Sequence, residues 1–566
     1  MSRNAKRIVV VGGSAAGPKT AAKARRMDQH AEITIIQKAP DLSMASCGYP
    51  YYVGGVFDDR NQLLCTPTGV VRDPGFFLNA KGITAITETE VVAIDRANKQ
   101  VKCRKLADGS TFDVPYDKLV LATGAEPIMP PVPGADLEGI TTLQSMRDAD
   151  FLRKIRDEGK IRKAVVVGGG LIGVETCEAL ELAGIGITVV EMLPQILTFL
   201  DWELAKLVEN HMTAKGSMVI TENPVAAFLG ENGVLTGVKL RNGTELPCEL
   251  AVVATGVRPN TKLAQAAGLA VGKRGGLLVD TCMRTEDPDI YAVGDCIEIP
   301  NLITGQRVHA PYGDLANLQG RVAGQNVATD SNVEFPGTIQ TGICKVFDYA
   351  AGATGLNERA AREAGFDVET VITAAPDKPG FMGGKLLVMK MVAERVSGRL
   401  LGVQCVGPGD CSKRIASAAM ALHGKMTVTD LTVADLPYAP PFSPAVDNLI
   451  MTAHVLENKL VGRMRGISCR EVKTRVEAGE DLFLIDTRGA DEFEQMRLGI
   501  GEVLIPLGAL RRRMNELPAD KMREIITYCK ISLRGYEVAN FLEAQGYTNV
   551  KVMEGGLMAW PFQREK

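Results

Sequence analysis

The chain has 566 residues, 46% of them hydrophobic and 23% charged, with 64 Lys and Arg against 67 Asp and Glu. That balance belongs to a folded globular protein of several domains and excludes a disordered or coiled-coil chain. A net charge of −3 provides no basic field for nucleic acid, and no run of 18 apolar residues offers a membrane span.

The first predicted element is a strand over 7–11. It runs straight into the turn Gly12-Gly13-Ser14-Ala15-Ala16-Gly17 with no small-residue cleavage site, so a strand fits better than a secretion signal. A helix over 18–27 and a strand over 33–36 follow, ending at Gln37. Glycines at a strand-to-helix turn let backbone N–H groups approach a pyrophosphate, and the helix start adds its positive dipole end. Gly12, Ser14 and Gly17 therefore mark a candidate dinucleotide site, although Ser14 stands at the middle glycine position and Gln37 where an acid is expected.

The segment Ser43-Met44-Ala45-Ser46-Cys47-Gly48-Tyr49-Pro50-Tyr51-Tyr52 holds one cysteine, and the next, Cys65, comes 18 residues later. With no close partner for an internal disulfide, Cys47 is expected to act alone, its redox partner being either substrate sulfur, as a mixed disulfide, or a flavin. Such attack calls for a lowered thiol pKa, expected from a flavin environment and a nearby helix end.

A second strand–turn–helix unit starts at 164 and carries the complete fingerprint Gly168-x-Gly170-x-x-Gly173, with Glu191 at the end of its next strand, 23 residues after Gly168. A carboxylate there accepts bonds from ribose hydroxyls and repels a 2′-phosphate, which favours NADH over NADPH. The run ending in Thr123-Gly124 is echoed by Thr255-Gly256-Val257-Arg258-Pro259-Asn260, and Gly294-Asp295 follows a further strand. The pattern is an internal duplication with the second copy inserted into the first. Two dinucleotide units suit one held and one exchanging cofactor, a flavin with a nicotinamide, with the Asp295 carboxylate suited to a ribityl hydroxyl.

Past about 337 the glycine-rich loops stop. A polar stretch, 456–466, is read as a linker to a small α/β domain with strands at 482–486, 503–507, 525–529 and 550–553 and a helix over 535–545. Cys529 ends one of these strands, in the loop Cys529-Lys530-Ile531-Ser532-Leu533-Arg534. Successive N–H groups there can nest an anion, and Lys530 and Arg534 are expected to lower the Cys529 pKa. The twelve cysteines include no CxxC pair and no zinc-like spacing with His, which points to reduced cytoplasmic thiols and no metal.

Residues 1–455 resemble the pyridine nucleotide-disulfide oxidoreductase family, on Thr123-Gly124, Gly256-Val257-Arg258-Pro259-Asn260 and Ala292-Val293-Gly294-Asp295. The resemblance implies an α/β fold with two Rossmann-like dinucleotide-binding domains and an α+β dimerisation domain. FAD would lie on 1–150 and 281–330, NAD on 151–280, and the dimerisation domain of a homodimer would span 331–455. The Cys47 segment resembles the Ser-Phe-x-x-Cys-Gly-x-Pro-Tyr-Tyr motif of coenzyme A disulfide reductases, with Met44 for Phe, and implies substrate contacts at Ser43 and Ser46. Lys23 and Arg26 stand where those enzymes place basic residues for coenzyme A phosphates. Related NADH peroxidases and oxidases carry a His where this chain has Ala15, which weighs against peroxide or oxygen as main substrate. Tyr438 is a candidate proton donor, but Phe442 and Phe381 stand where the subfamily often has further tyrosines.

Residues 467–566 resemble a rhodanese domain, on Asp486-Thr487-Arg488, Tyr528-Cys529 and Glu554-Gly555-Gly556 through Trp560. That implies a persulfide on Cys529, with Asp486 and Arg488 structural. The expected function is FAD- and NADH-dependent reduction of persulfide or polysulfide sulfur, coenzyme A persulfide foremost, through Cys47. The alternatives are a coenzyme A disulfide reductase, an NADH oxidase, and a sulfur-relay protein.

Overall fold

A computed structural model describes residues 5–566, which divide into two compact units. The first comprises residues up to 192 together with 223–338. Its first sheet has the strand order Ile290–Ala292, Lys118–Leu121, Arg7–Val11, Glu32–Ile36, Thr84–Ile86, parallel throughout. Helices cover both faces of such sheets, so their strands read as unbroken apolar runs, and Ile8, Val10, Ile35, Leu119 and Leu121 are fully buried. The late strand Ile290–Ala292 returns beside Lys118–Leu121, so the second copy is inserted into the first.

That second copy repeats the plan, with Lys163–Val167 between Gly186–Val190 and Leu250–Val253, again parallel. Each half also carries a three-stranded antiparallel sheet, at Thr89–Asp95, Gln100–Lys105 and Thr111–Pro115, and at Val225–Glu231, Val234–Leu240 and Glu245–Pro247. Ala125–Pro127 pairs with Val257–Pro259, joining the two echoed Thr-Gly motifs in one ribbon.

The second unit comprises 193–222 and 339–566. An antiparallel sheet runs in the order Gly342–Val346, Tyr349–Gly355, Leu400–Gly407, Leu386–Glu394, Val368–Pro376. A parallel sheet follows in the order Gly466–Ile467, Val550–Met553, Ile525–Tyr528, Phe483–Asp486, Val503–Leu504. The helix Asn448–Leu460 runs into the stretch read as a polar linker, and Lys459 there is buried. No described helix is long and apolar enough to cross a membrane.

Candidate active site

The two glycine-rich turns are nearly superimposable in design. Gly12 and Gly168 both sit at φ +110°, and a Cβ on either would meet a carbonyl oxygen, Ala122 O at 2.0 Å or Ala254 O at 2.3 Å. A Cβ on Gly17 or Gly173 would strike the carbonyl of Gly12 or Gly168, at 1.9 and 2.0 Å. Only glycine lets strand and helix approach so closely. Beyond each turn, the side chain at the end of the second strand folds back onto it. Gly13 N donates to Gln37 Oε1 at 2.9 Å, and Gly169 N donates to Glu191 Oε2 at 2.8 Å. Gln37 thus does in the first turn what Glu191 does in the second, which explains how an amide serves where an acid was expected.

The helices that open at the expected ligand positions begin without side-chain caps: Ala16–Met27, Leu171–Glu181, Gly313–Thr329 and Leu533–Ala544. Elsewhere Ser145, Asp410 and Asp447 cap their helices. An uncapped start leaves first-turn N–H groups for an anionic ligand. A Cβ on Gly170, by contrast with its neighbours, would meet nothing within 4 Å. Gly170→Ala should therefore fold normally and keep its flavin, yet raise KM for NADH roughly tenfold by crowding the pyrophosphate. Initial-rate kinetics beside a thermal melt checks this, and an unchanged KM would contradict the placement of the nicotinamide nucleotide.

Cys47 lies in the 3-10 turn Ser46–Gly48, immediately before the helix Tyr49–Gly54. The segment is anchored to the first glycine turn by Ser43 N donating to Gly13 O at 2.7 Å; Ser46, like Cys47, is exposed. The sulfur stands at the start of the helix Gly313–Thr329, where a Cβ on Gly313 would be 3.6 Å from Cys47 Sγ. A helix N-terminus favours a thiolate. The sequence did not reveal Gly313 as a neighbour, since a small residue at a helix start has no distinctive signature.

The expected lowering of the Cys47 pKa is not what the chain alone produces. Desolvation pushes the thiol up, and Glu175 and Asp295 push it further. Glu175 accepts from Tyr51 Oη at 3.2 Å. Asp295 is itself raised by burial, opposed by His309, whose Nε2 lies 2.8 Å from Asp295 O. Glu175→Gln removes one of the charges opposing ionisation. The pH midpoint for iodoacetamide alkylation of Cys47 in the apoprotein should then move down, and an unmoved midpoint would show that Glu175 does not act on the thiol.

Thr123 Oγ1 donates to Asn260 O at 2.6 Å, and Asn260 N donates to Gly124 O at 2.9 Å. Gly256 O accepts from Ile128 N at 3.0 Å, so these motif residues chiefly tie the echoed segments to each other. Lys23 and Arg26 lie on the helix Ala16–Met27, Lys23 half-buried and Arg26 exposed. The neighbouring Lys19 is lowered first by burial and then by Arg26, Arg321 and Arg72, all cationic. This is a basic patch suited to phosphates rather than a solvated face of mixed charge. Tyr438, Phe442 and Phe381 are all exposed on the second unit.

In that unit, Cys529 is 1% exposed at the end of Ile525–Tyr528. Ser532 adopts φ +69°, which turns the loop into the helix Leu533–Ala544 and gathers backbone N–H groups. Arg534 acts on Cys529, but it is also held bidentately by Glu492 at 2.7 and 2.8 Å. That pairing holds the Glu492 carboxyl down at about 2. Lys530 is exposed, and Glu492 shares the Arg534 guanidinium with the Cys529 loop. Asp486 and Arg488 form a buried pair at 2.7 Å that fastens the domain.

The family model for pyridine nucleotide-disulphide oxidoreductase matches residues 6–310, its dimerisation domain matches 341–450, and a rhodanese-like domain matches 468–561. The chain belongs to the pyridine nucleotide-disulphide oxidoreductase family. It is an oxidoreductase, the family implies flavin and NAD(P)H use, and the dimerisation domain suggests a homodimer. A solved NAD-dependent persulfide reductase from A. fulgidus matches 98% of this chain and 100% of its own at 41% identity and TM-score 0.93. The reduced Bacillus anthracis CoADR-RHD matches 99% and 98% at 34% identity and TM-score 0.91. A Pyrococcus horikoshii protein named NAD(P)H coenzyme A polysulfide/persulfide reductase is 33% identical over 454 residues, 80% of this chain and 98% of its own.

Proposed function

We propose that this enzyme reduces the sulfane sulfur of coenzyme A persulfide at the expense of NADH, through Cys47 and with FAD. The observation that carries the reading is one exposed thiol set at an uncapped helix start, beside a nucleotide turn and in the same unit as the basic helix bearing Lys19, Lys23 and Arg26. Gly12, Ser14, Gly17, Gln37, Thr123, Gly124 and Asp295 would hold FAD; Gly168, Gly170, Gly173, Glu191 and Gly256 would hold the nicotinamide nucleotide. FAD bound there would accept two electrons from NADH and make them available at the neighbouring thiol.

The chain's own part begins with Cys47 as thiolate. It attacks the carbon-bound sulfur of CoA–S–SH, forming Cys47–S–S–CoA and releasing HS⁻. Two electrons and one proton then open that disulfide, returning the Cys47 thiolate and free CoA–SH. The sum is CoA–S–SH + NADH → CoA–SH + HS⁻ + NAD⁺. Lys23 and Arg26 would hold the nucleotide phosphates, and Ser43 and Ser46 would line the approach to the sulfur. The helix start at Gly313 beside the sulfur would favour the thiolate against the burial and the carboxylates that raise its pKa. Cys529 would carry sulfane sulfur as a persulfide in its nest, with Arg534 beside it. Tyr438 would serve as proton donor in a homodimer of cytoplasmic location.

A second reading, coenzyme A disulfide reductase, differs in its leaving group, which is a second bulky thiol needing a proton. With Phe442 and Phe381 unable to supply one, Tyr438 alone would have to, so persulfide should turn over faster than coenzyme A disulfide when both are measured side by side at saturating NADH. Faster turnover on the disulfide would reverse the assignment.

A further inference from the structure

The strand Val368–Pro376 is the edge of the antiparallel sheet in the second unit, and an edge presents unpaired backbone groups. Two charged side chains close it. Ile372 N donates to Glu554 Oε2 at 3.0 Å, and Thr370 O accepts from Lys459 Nζ at 2.5 Å. Lys459 Nζ also pairs with Glu554 Oε1, and with Glu369 Oε1 at 2.9 Å. The Lys459 and Glu554 side chains are 9% and 5% exposed, so the pair is desolvated and held by geometry.

Glu554 opens the turn that shapes the Cys529 loop. From it the chain passes through Gly555 and Gly556 into the 3-10 turn Gly556–Ala559. Leu557 N donates to Cys529 O and Met558 N to Lys530 O, both at 3.0 Å, while Ser532 Oγ bonds Met553 O. These bonds engage the carbonyls of Cys529 and Lys530, which leaves the loop's N–H groups free to form a nest. The fit is close: a Cβ on Gly556 would stand 2.3 Å from Cys529 O, and one on Gly555 would stand 3.0 Å from Ile372 Cγ2.

We propose that Glu554 is a positioning residue for Cys529: the edge strand of the dimerisation sheet, through Glu554 and Lys459, sets the shape of the anion nest around the sulfur. The proposal rests on the reading of Cys529 as a sulfur carrier. Its consequence is that sulfur loading depends on the sheet of the neighbouring domain, rather than on the rhodanese-like domain alone.

The test uses the full-length holoenzyme with thiosulfate and cyanide as probes. Thiosulfate plus the Cys529 thiolate gives Cys529–S–S⁻ and sulfite; cyanide then takes the outer sulfur as thiocyanate and restores the thiolate. Glu554→Gln and Lys459→Gln should each lower kcat about tenfold through a misplaced nest. Both should raise the pH midpoint for alkylation of Cys529, and the double variant should be no worse than the poorer single variant. A merely structural role would lower the melting temperature and leave the midpoint where it was. Should Glu554→Gln fail to fold, Lys459→Gln, which retains an N–H donor for Thr370 O, decides the matter.

Wild-type kcat and midpoint in a folded variant would overturn the proposal. Cys529→Ser tests the underlying reading separately. If it still transfers sulfur, or if wild type transfers none, the carrier reading fails, and the alkylation profile alone then judges Glu554.

Discussion

Cys47→Ser should abolish NADH-dependent sulfide release from coenzyme A persulfide, by about a thousandfold or more, while the purified protein stays yellow and still oxidises NADH slowly with oxygen. The size of the effect follows from the lack of a substitute. Cys65, the next cysteine in the chain, is 18 residues away, and ten of the twelve thiols, Cys529 among them, are buried. A serine hydroxyl cannot form the mixed disulfide, so no weaker version of the same route survives. The exposed position of Cys47 and the open helix start at Gly313 mean the substitution removes the reaction without disturbing the fold. Sulfide release measured against NADH consumption separates this from uncoupled oxidase turnover.

Lys390→Met should be strongly destabilising, costing about 3–5 kcal/mol. Lys390 is 3% exposed in the strand Leu386–Glu394, with Glu358 at 2.8 Å, Asp201 at 3.2 Å and Glu203 at 3.3 Å. Gln404 Nε2 adds a bond to Asp201 Oδ2 at 2.7 Å. Methionine fills the volume but leaves Asp201 and Glu203 desolvated without their cation, and Glu358 with Arg362 alone. In the wild type, burial works to raise Glu358, yet Lys390 and Arg362 hold it down at about 2.

A carboxyl depressed in the folded state contributes stability above its unfolded value, and that contribution is lost as pH falls toward 2. In the variant the same carboxylates favour protonation, so acidification helps it. The gap between the two melting temperatures, roughly 6 °C or more at pH 7, should therefore narrow toward pH 5. Calorimetry at several pH values checks both the size and the slope, and a gap that widened on acidification would contradict the buried-cluster account.

The two glycine turns were legible because they depend on backbone constraint. Gly12 and Gly168 cannot be other residues at φ +110° against a carbonyl, so their spacing announces the turn. Cys47 was legible because it stands without a nearby partner. What the sequence hid were relations between distant charges. Burial, joined by Glu175 and Asp295, reverses the expected shift of the Cys47 thiol, and Glu492 takes part of Arg534. Lys459 appeared as one cation in a polar linker because its partners, Glu369 and Glu554, lie 90 or more residues away on either side. The helix Leu533–Ala544 begins two residues before the expected 535, because the left-handed Ser532 starts it directly after the Cys529 loop. The strand expected over 503–507 is confined to Val503–Leu504, since Leu510 N bonds Pro506 O and the chain curls into a 3-10 turn.

The most direct measurement is a single turnover followed at Cys47 itself. Oxidised enzyme is mixed with coenzyme A persulfide, quenched with acid and digested, and the peptide bearing Cys47 is weighed by mass spectrometry. The mechanism predicts one coenzyme A joined to Cys47 by a disulfide, together with one equivalent of sulfide, and restoration of the free thiol when one equivalent of NADH is added before the quench. An unmodified Cys47 peptide in enzyme that nonetheless releases sulfide at the full rate would contradict it.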